Sequence, residues 1–123
     1  MSLPLPWASP EVVDQVLAFG RSEDPHEAGG VVTPDLTVIL LPNRSESPTN
    51  SYVISDEDLV NEIDQWLDRN PNINPEDLTR AHFIIWHTHP NGGVGPSRRD
   101  MKCKAEGFQY MVVAMPDGPA SLF

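Results

Sequence analysis

The chain has 123 residues, with 8 basic and 18 acidic side chains and a formal net charge of −10 at pH 7. This length predicts a single domain over residues 1–123 with room for a hydrophobic core. The negative charge disfavours non-specific binding to nucleic acid, and the absence of a run of about 18 apolar residues predicts no transmembrane helix. Residues 1–7 contain neither a basic region nor a long apolar stretch, so we expect no secretory signal.

The cysteine content and the distribution of basic residues further narrow the class of protein. Cys103 is the only cysteine, so no intrachain disulfide can form, which suits a reducing compartment such as the cytoplasm. The single cysteine also argues against a zinc deaminase, because the signature of that class needs a Pro-Cys-x-x-Cys pair, which is absent here. Half of the basic residues are clustered in one short segment, which we interpret as a solvated helix face, with a patch for an acidic partner or substrate as the alternative. The cluster consists of Arg98, Arg99, Lys102 and Lys104.

The first half of the chain predicts a helix followed by a hairpin. Ser9-Pro10-Glu11 has the pattern of a helix start, and Gly20 has that of its C-terminal end. Residues 28–32 and 36–41 predict two short strands with a turn between them, which indicates an antiparallel hairpin. The glycines of the first strand would weaken it unless another backbone comes close.

The second half alternates helices and strands. Apolar residues at helical spacing predict a helix from Ser55 to about Asp68, and the apolar run of residues 81–86 predicts a buried strand. The remaining predicted elements are a helix from Ser97 that ends at Gly107 and strands over residues 109–115 and 121–123. This order predicts an α/β fold, a three-layer α-β-α domain with a mixed sheet.

The pattern with the most chemical content begins at the end of the buried strand. Side chains alternate along a strand, so His87 and His89 point the same way, with Cα atoms roughly 6.5 Å apart, and both can reach one metal ion. Ser97-x-x-Asp100 has the pattern of a helix start, which puts these two side chains on one face. The turn-rich segment 91–96 allows that helix to fold back and bring Asp100 beside the histidines.

Two histidines and one aspartate leave a fourth coordination position open, which is the arrangement of catalytic zinc. Zinc lowers the pKa of bound water from about 15.7 to about 7, and such a site also needs a general base near the water. We therefore predict one zinc ion per chain, held by His87, His89 and Asp100. The alternative is a pair of core histidines and an aspartate that only starts a helix.

The spacing of these residues resembles the signature of JAMM (MPN+) metalloproteases, namely His87-Thr88-His89, seven residues, Ser97, two residues and Asp100. That signature also includes an upstream glutamate ahead of small and apolar residues, and Glu27 with the residues that follow it resembles this part of the signature. The resemblance extends to about Met115 and implies a cytidine-deaminase-like fold. It implies that Glu27 is the general base and then the proton donor to the leaving amine. It also implies that Ser97 hydrogen-bonds the oxyanion, besides any capping role.

Three neighbouring side chains receive structural interpretations. We expect Thr88 to have a packing or supporting role because it lies on the opposite strand face, and His82 shares that face. His26 is interpreted as a surface histidine, with a role in substrate access as the alternative.

A second, looser resemblance concerns Asn43…Pro48…Tyr52-x-Ile54-x-Asp56, which is similar to JAMM domains of phage tail-assembly proteins of the lambda K type. Together the resemblances imply a zinc-dependent peptidase or isopeptidase of a phage or prophage tail module, cytoplasmic or virion-associated. Its partners would be a protein or peptide substrate and phage tail proteins. A cellular enzyme that removes ubiquitin-like modifiers and a non-catalytic metal-binding assembly or scaffolding domain remain alternatives. The presence of both Glu27 and Ser97 favours an enzyme.

Overall fold

A computed structural model describes residues 9–123, so the segment for which we expect no secretory signal lies outside the described residues. Within residues 9–123, five strands form one mixed sheet in the order β2-β1-β3-β4-β5, in which only β3 and β4 are parallel neighbours. This confirms the predicted α/β class with a mixed sheet. The helices are α1 (Pro10–Glu23), α2 (Asp56–Arg69) and α3 (Arg98–Lys102), and the strands are β1 (Gly29–Val32), β2 (Val38–Leu41), β3 (Ile84–His89), β4 (Gln109–Ala114) and β5 (Ala120–Leu122).

Each face of the sheet has its own apolar cluster, because side chains alternate along every strand. On one face, α1 packs against β2, β3 and β4, with Val16 and Trp86 fully buried between the layers. On the other face, Trp66 of α2 meets Phe83 edge-on at 5.8 Å and packs with Ile85. No helix within residues 9–123 is long and apolar enough to cross a membrane.

The first helix is longer than predicted and does not end at Gly20. It continues to Glu23, and Gly20 is buried inside it. A Cβ atom at Gly20 would lie 2.7 Å from Met115 Sδ and 3.1 Å from Thr88 Cγ2. A glycine at this position therefore allows α1 to pack closely against the sheet. The prediction that Gly20 ends the helix was wrong.

The predicted hairpin is confirmed, with Gly29 opposite Leu41 and Val32 opposite Val38. The glycines of β1 mark two close approaches. A Cβ at Gly30 would overlap the Ile39 carbonyl oxygen, as expected for backbone proximity, whereas a Cβ at Gly29 would overlap the ring of Tyr52.

The boundaries around the histidines differ from the prediction. The strand starts at Ile84 instead of residue 81, because Arg80–His82 form a 3₁₀ turn in which His82 Nδ1 accepts a hydrogen bond from Thr79 N at 2.9 Å. The following helix α3 has only five residues and ends long before Gly107. After the helix, Ala105 N donates to Tyr110 Oη at 2.6 Å, which joins the following turn to β4.

Candidate metal centre

Strand β3 places both histidines on the sheet face opposite to α1. His87 is 6% exposed and His89 is 9% exposed, and their Nε2 atoms are 3.3 Å apart. His89 Nδ1 lies 3.1 Å from the carbonyl oxygen of Gly93. A carbonyl can only accept, so Nδ1 carries a proton, and Nε2 is the nitrogen that would bind a metal ion.

The aspartate reaches the histidines because the glycine-rich loop reverses the chain. Gly92 and Gly95 adopt φ values of +82° and +76°, which favour glycine, and α3 then runs back over the strand end. As a result, Asp100 Oδ2 lies 3.1 Å from His87 Nε2 and 3.1 Å from His89 Nε2.

These three donor atoms form a triangle with edges of 3.1 to 3.3 Å. Zinc binds histidine nitrogen and carboxylate oxygen at about 2.0–2.2 Å in tetrahedral geometry, which requires ligand atoms about 3.3–3.5 Å apart. The spacing and the chemistry of the donors therefore fit a tetrahedral divalent ion with a fourth position to spare.

The electrostatics of Asp100 keep it in the charged form that a metal requires. Burial raises the pKa of its carboxyl group, but the hydrogen bonds from His87 and from the backbone N–H of Ser97 outweigh burial and lower that pKa well below its usual range. The carboxylate is thus ionised, as a metal ligand has to be.

Glu27 lies beside this triangle but outside it. It offers a carboxylate oxygen within 4.8 Å of the ligand atoms of both His87 and His89, so these three residues are also a candidate metal-binding group. The residue is 6% exposed, and its Oε1 atom is buried without a hydrogen-bond partner among the residues that the structure describes. Burial raises the pKa of Glu27 to about 8; the charge of Asp100 adds to this, and Arg99 opposes it.

The backbone at Glu27 is held by a loop that the metal motif does not include. Glu27 N donates to the carbonyl oxygen of Pro48 at 2.7 Å, and Asn43 Nδ2 donates to the carbonyl oxygens of Glu27 and Ser51, both at 3.0 Å. This role of Asn43 was not predicted from the sequence, although the residue belongs to the segment that resembles phage tail-assembly proteins. No local pattern marks this role, because Glu27 lies 16 residues away from Asn43 in the sequence.

Thr88 supports the same region from the opposite strand face. Its side chain is fully buried, Thr88 Oγ1 accepts from Ala28 N at 3.0 Å, and Thr88 N donates to Ala28 O at 2.9 Å. The residue thus joins the histidine strand to the position that follows Glu27, as expected for a supporting role.

Ser97 has one clear structural task. Its Oγ accepts from Asp100 N at 3.1 Å, and its backbone N–H donates to Asp100 Oδ2 at 2.8 Å, which forms a capping box. Capping uses a lone pair and leaves the hydroxyl proton free to donate. Ser97 also lines a polar cleft together with Glu27 and His89.

The remaining residues singled out from the sequence lie at the surface. His26 is exposed, and its side chain lines a separate cavity beside Glu27. The basic residues after Ser97 are exposed as well, and Lys104 Nζ lies 5.8 Å from the ring centre of Phe123.

Fold and donor set together define a JAB-like α/β domain with a candidate metal centre. The sequence matches the family of prokaryotic homologues of the JAB domain over residues 9–122, and the chain belongs to that family. The solution structure of protein DSY2949 from Desulfitobacterium hafniense is similar in fold, with a TM-score of 0.65 and 16% sequence identity over 93% of this chain and 78% of that chain. No curated protein matches the sequence.

Proposed function

We propose that the protein is a zinc-dependent hydrolase of peptide or isopeptide bonds. The observation that carries this proposal is the triangle of His87 Nε2, His89 Nε2 and Asp100 Oδ2, with the buried carboxylate of Glu27 beside it. Zinc held by three such side chains acts as a Lewis acid that polarises a carbonyl group and lowers the pKa of water to about 7.

Glu27 is assigned to proton transfer. Its carboxylate accepts a proton from the attacking water, whose hydroxyl adds to the carbonyl carbon, and returns that proton to the amine nitrogen as the C–N bond breaks. A nearby cation opposes the burial that raises the pKa of Glu27, so the carboxylate is ionised when the site is loaded. The unpartnered Oε1 atom is consistent with a group that awaits a proton donor.

Ser97 is assigned to the developing negative charge on the carbonyl oxygen. Its hydroxyl proton is not used by the helix cap, and its side chain lines the same cleft as Glu27. A donor fixed before the reaction stabilises the oxyanion without reorganisation during the step.

The decisive experiment combines metal content and hydrolysis in Glu27→Gln. The protein is stripped with a chelator, reloaded with zinc and tested on a peptide mixture and on lysine-linked isopeptides. We expect about one zinc per chain in both forms, with hydrolysis lost in the variant. The matched control is Glu57→Gln, which replaces an exposed glutamate on α2 and should behave as wild type.

A second candidate function follows from the position of Glu27 near both histidines. If Glu27 joins His87, His89 and Asp100 as a fourth ligand, the site is closed, which is typical of structural zinc. The protein would then be a non-catalytic metal-binding assembly domain. Loss of zinc in Glu27→Gln supports this alternative, and a folded wild-type protein that binds no divalent metal contradicts both functions.

We also propose a phage or prophage tail setting, with tail proteins as partners and a cytoplasmic or virion-associated location. Support comes from the resemblance in the segment around Asn43 and Tyr52, which in the fold contacts Glu27 and the metal centre. Neighbouring genes that encode tail components would support this setting. Cleavage of lysine-linked ubiquitin-like conjugates instead would favour the cellular enzyme.

A further inference from the structure

A cavity of about 160 Å³ opens directly beside the donor triangle and shares two side chains, His87 and Asp100, with it. We call it the aromatic pocket. The other side chains that line the pocket are mostly apolar and come from five separate parts of the fold. They are Tyr52, Val53, Ile54, Ile85, Cys103, Tyr110 and Phe123.

The walls of the aromatic pocket are held in place by contacts with the metal centre. The ring of Tyr52 lies parallel to that of His87, with centres 6.4 Å apart and an interplanar angle of 6°. The ring of Phe123 stands perpendicular to His87 at 6.1 Å and lies 5.5 Å from Tyr110. These rings therefore form fixed walls on two sides of a candidate metal ligand.

The polar ends of the two tyrosines are bonded to the backbone. Tyr52 Oη donates to the Leu41 carbonyl oxygen at 3.3 Å, and Tyr110 Oη accepts from Ala105 N at 2.6 Å. The pocket therefore receives ring surface from these residues, while their hydroxyl groups keep partners of their own.

The sequence makes room for this arrangement at Gly29. This glycine is paired with His87 in the sheet, and any Cβ atom there would overlap the Tyr52 ring. A side chain at position 29 would push Tyr52 away from His87. The glycine thus permits the contact between the pocket wall and the candidate ligand.

The size of the aromatic pocket and its mostly apolar lining limit which side chain it can hold. An apolar cavity of about 150 Å³ in another protein binds benzene, so the aromatic pocket can hold one leucine, methionine or phenylalanine side chain. Lys104 Nζ lies 6.0 Å from the ring centre of Tyr110 and 5.8 Å from that of Phe123, so its ammonium group stands near two of the rings that line the pocket.

We propose that the aromatic pocket binds the large apolar side chain of the substrate residue next to the cleaved bond. This inference rests on the hydrolysis proposed above and deepens it by naming the substrate class. A residue that places its carbonyl group at the triangle has its side chain within reach of the pocket, because His87 and Asp100 border both. The pocket is thus a specificity site.

The first test is a cleavage profile of the zinc-loaded protein on a mixture of peptides, read by mass spectrometry. We expect leucine, methionine or phenylalanine at one position adjacent to the cleaved bond, about 10- to 100-fold over glycine, from the burial of one such side chain. Cleavage without a preference for these residues at either adjacent position overturns the proposal.

Variants that fill the pocket provide the second test. Cys103→Trp and Val53→Trp place a large ring at exposed lining positions, and both should reduce the preference for large residues to less than about threefold. Met101→Trp, on α3 at 50% exposure and outside the pocket, is the matched control and should keep the preference. An unchanged preference in both pocket variants, with melting temperatures like that of wild type, contradicts the assignment.

A binding measurement separates failure of the pocket from failure of the proposed reaction. N-acetyl-leucine amide and N-acetyl-glycine amide are titrated into zinc-loaded Glu27→Gln, and amide NMR shifts are followed at Cys103 and Phe123. We expect about 10-fold tighter binding of the leucine probe, lost when Cys103→Trp is added. Leucine-selective binding without any cleavage by wild type keeps the pocket and removes the peptidase assignment. Equal response to both probes overturns the pocket itself.

Discussion

The two faces of strand β3 are both buried, yet they have different chemistry. On the α1 side, Trp86 and Thr88 are fully buried, and Trp86 stacks on Phe19 with ring centres 6.0 Å apart. On the other side, His87 and His89 lie against a carboxylate and border two clefts. The same six-residue strand thus serves a sealed core and a candidate metal centre.

The difference arises from how far each helix layer extends. Helix α1 covers β2, β3 and β4, whereas the apolar cluster under α2 includes Ile85 and stops before His87. Beyond that row, loops 43–53 and 91–97 replace the helix and bring polar groups. The comparison teaches that the site forms where the helical cover of a buried strand ends.

The largest effect on folding is expected from the sealed face. Trp86→Ala removes a fully buried ring and should lower the free energy of unfolding by about 3–5 kcal/mol. Chemical denaturation of the metal-free protein measures it, with Val60→Ala, 54% exposed on α2, as a control within about 0.5 kcal/mol. A loss below about 1 kcal/mol would mean that Trp86 does not lie in a sealed core.

On the face of β3 that carries the histidines, we expect a large change in metal binding with little loss of stability. Asp100→Ala removes one corner of the triangle, so zinc affinity should fall by more than about 100-fold, beyond the effect of an outer-shell partner, and hydrolysis should disappear. Metal-free stability should fall by only about 1 kcal/mol through the lost capping box. Competition titration with a zinc chelator and a melting curve measure both effects, with the exposed Asp64→Ala as control.

Ser97 is expected to affect turnover more than zinc binding. Ser97→Ala should slow hydrolysis about 10²–10³-fold, keep zinc bound and cost about 1 kcal/mol of stability through the lost cap. Turnover, bound zinc and melting temperature are measured on the same sample. A variant that melts early yet turns over normally would restrict Ser97 to the cap.

A pH dependence of the metal-free protein sharpens the comparison further. The folded-state pKa of Glu27 is raised from 4.5 to about 8, so the folded chain retains a proton that the unfolded chain has released between these values. The contribution of Glu27 to stability is therefore fully present below about pH 4.5 and is lost as pH rises towards 8, by at most about 1.4 kcal/mol per pH unit. Subtracting the same series for Glu27→Gln isolates this contribution. A difference that is flat from pH 5 to 8 would contradict the buried, protonated carboxyl.

Several features of the fold could be predicted because they depend on local patterns. The Thr33–Asp35 turn between two short apolar runs gave the hairpin, and Ser55 with apolar residues at helical spacing gave α2. The predicted edge strand at the end of the sequence is also confirmed. Gly20 and Gly107 were misread as helix ends, because a glycine that permits close packing or a turn has the same sequence signal as one that ends a helix.

For the candidate site, the sequence by itself determined which residues carry donor atoms and which strand face they share. Alternation along β3 is a local property, so it fixed the common direction of His87 and His89. Only the tertiary structure decided that Asp100 completes a triangle at 3.1 Å, since that contact depends on how the glycine-rich loop reverses. The hold of Asn43 on Glu27 and the aromatic pocket were likewise decided by packing between segments far apart in the chain, for which no local spacing rule exists.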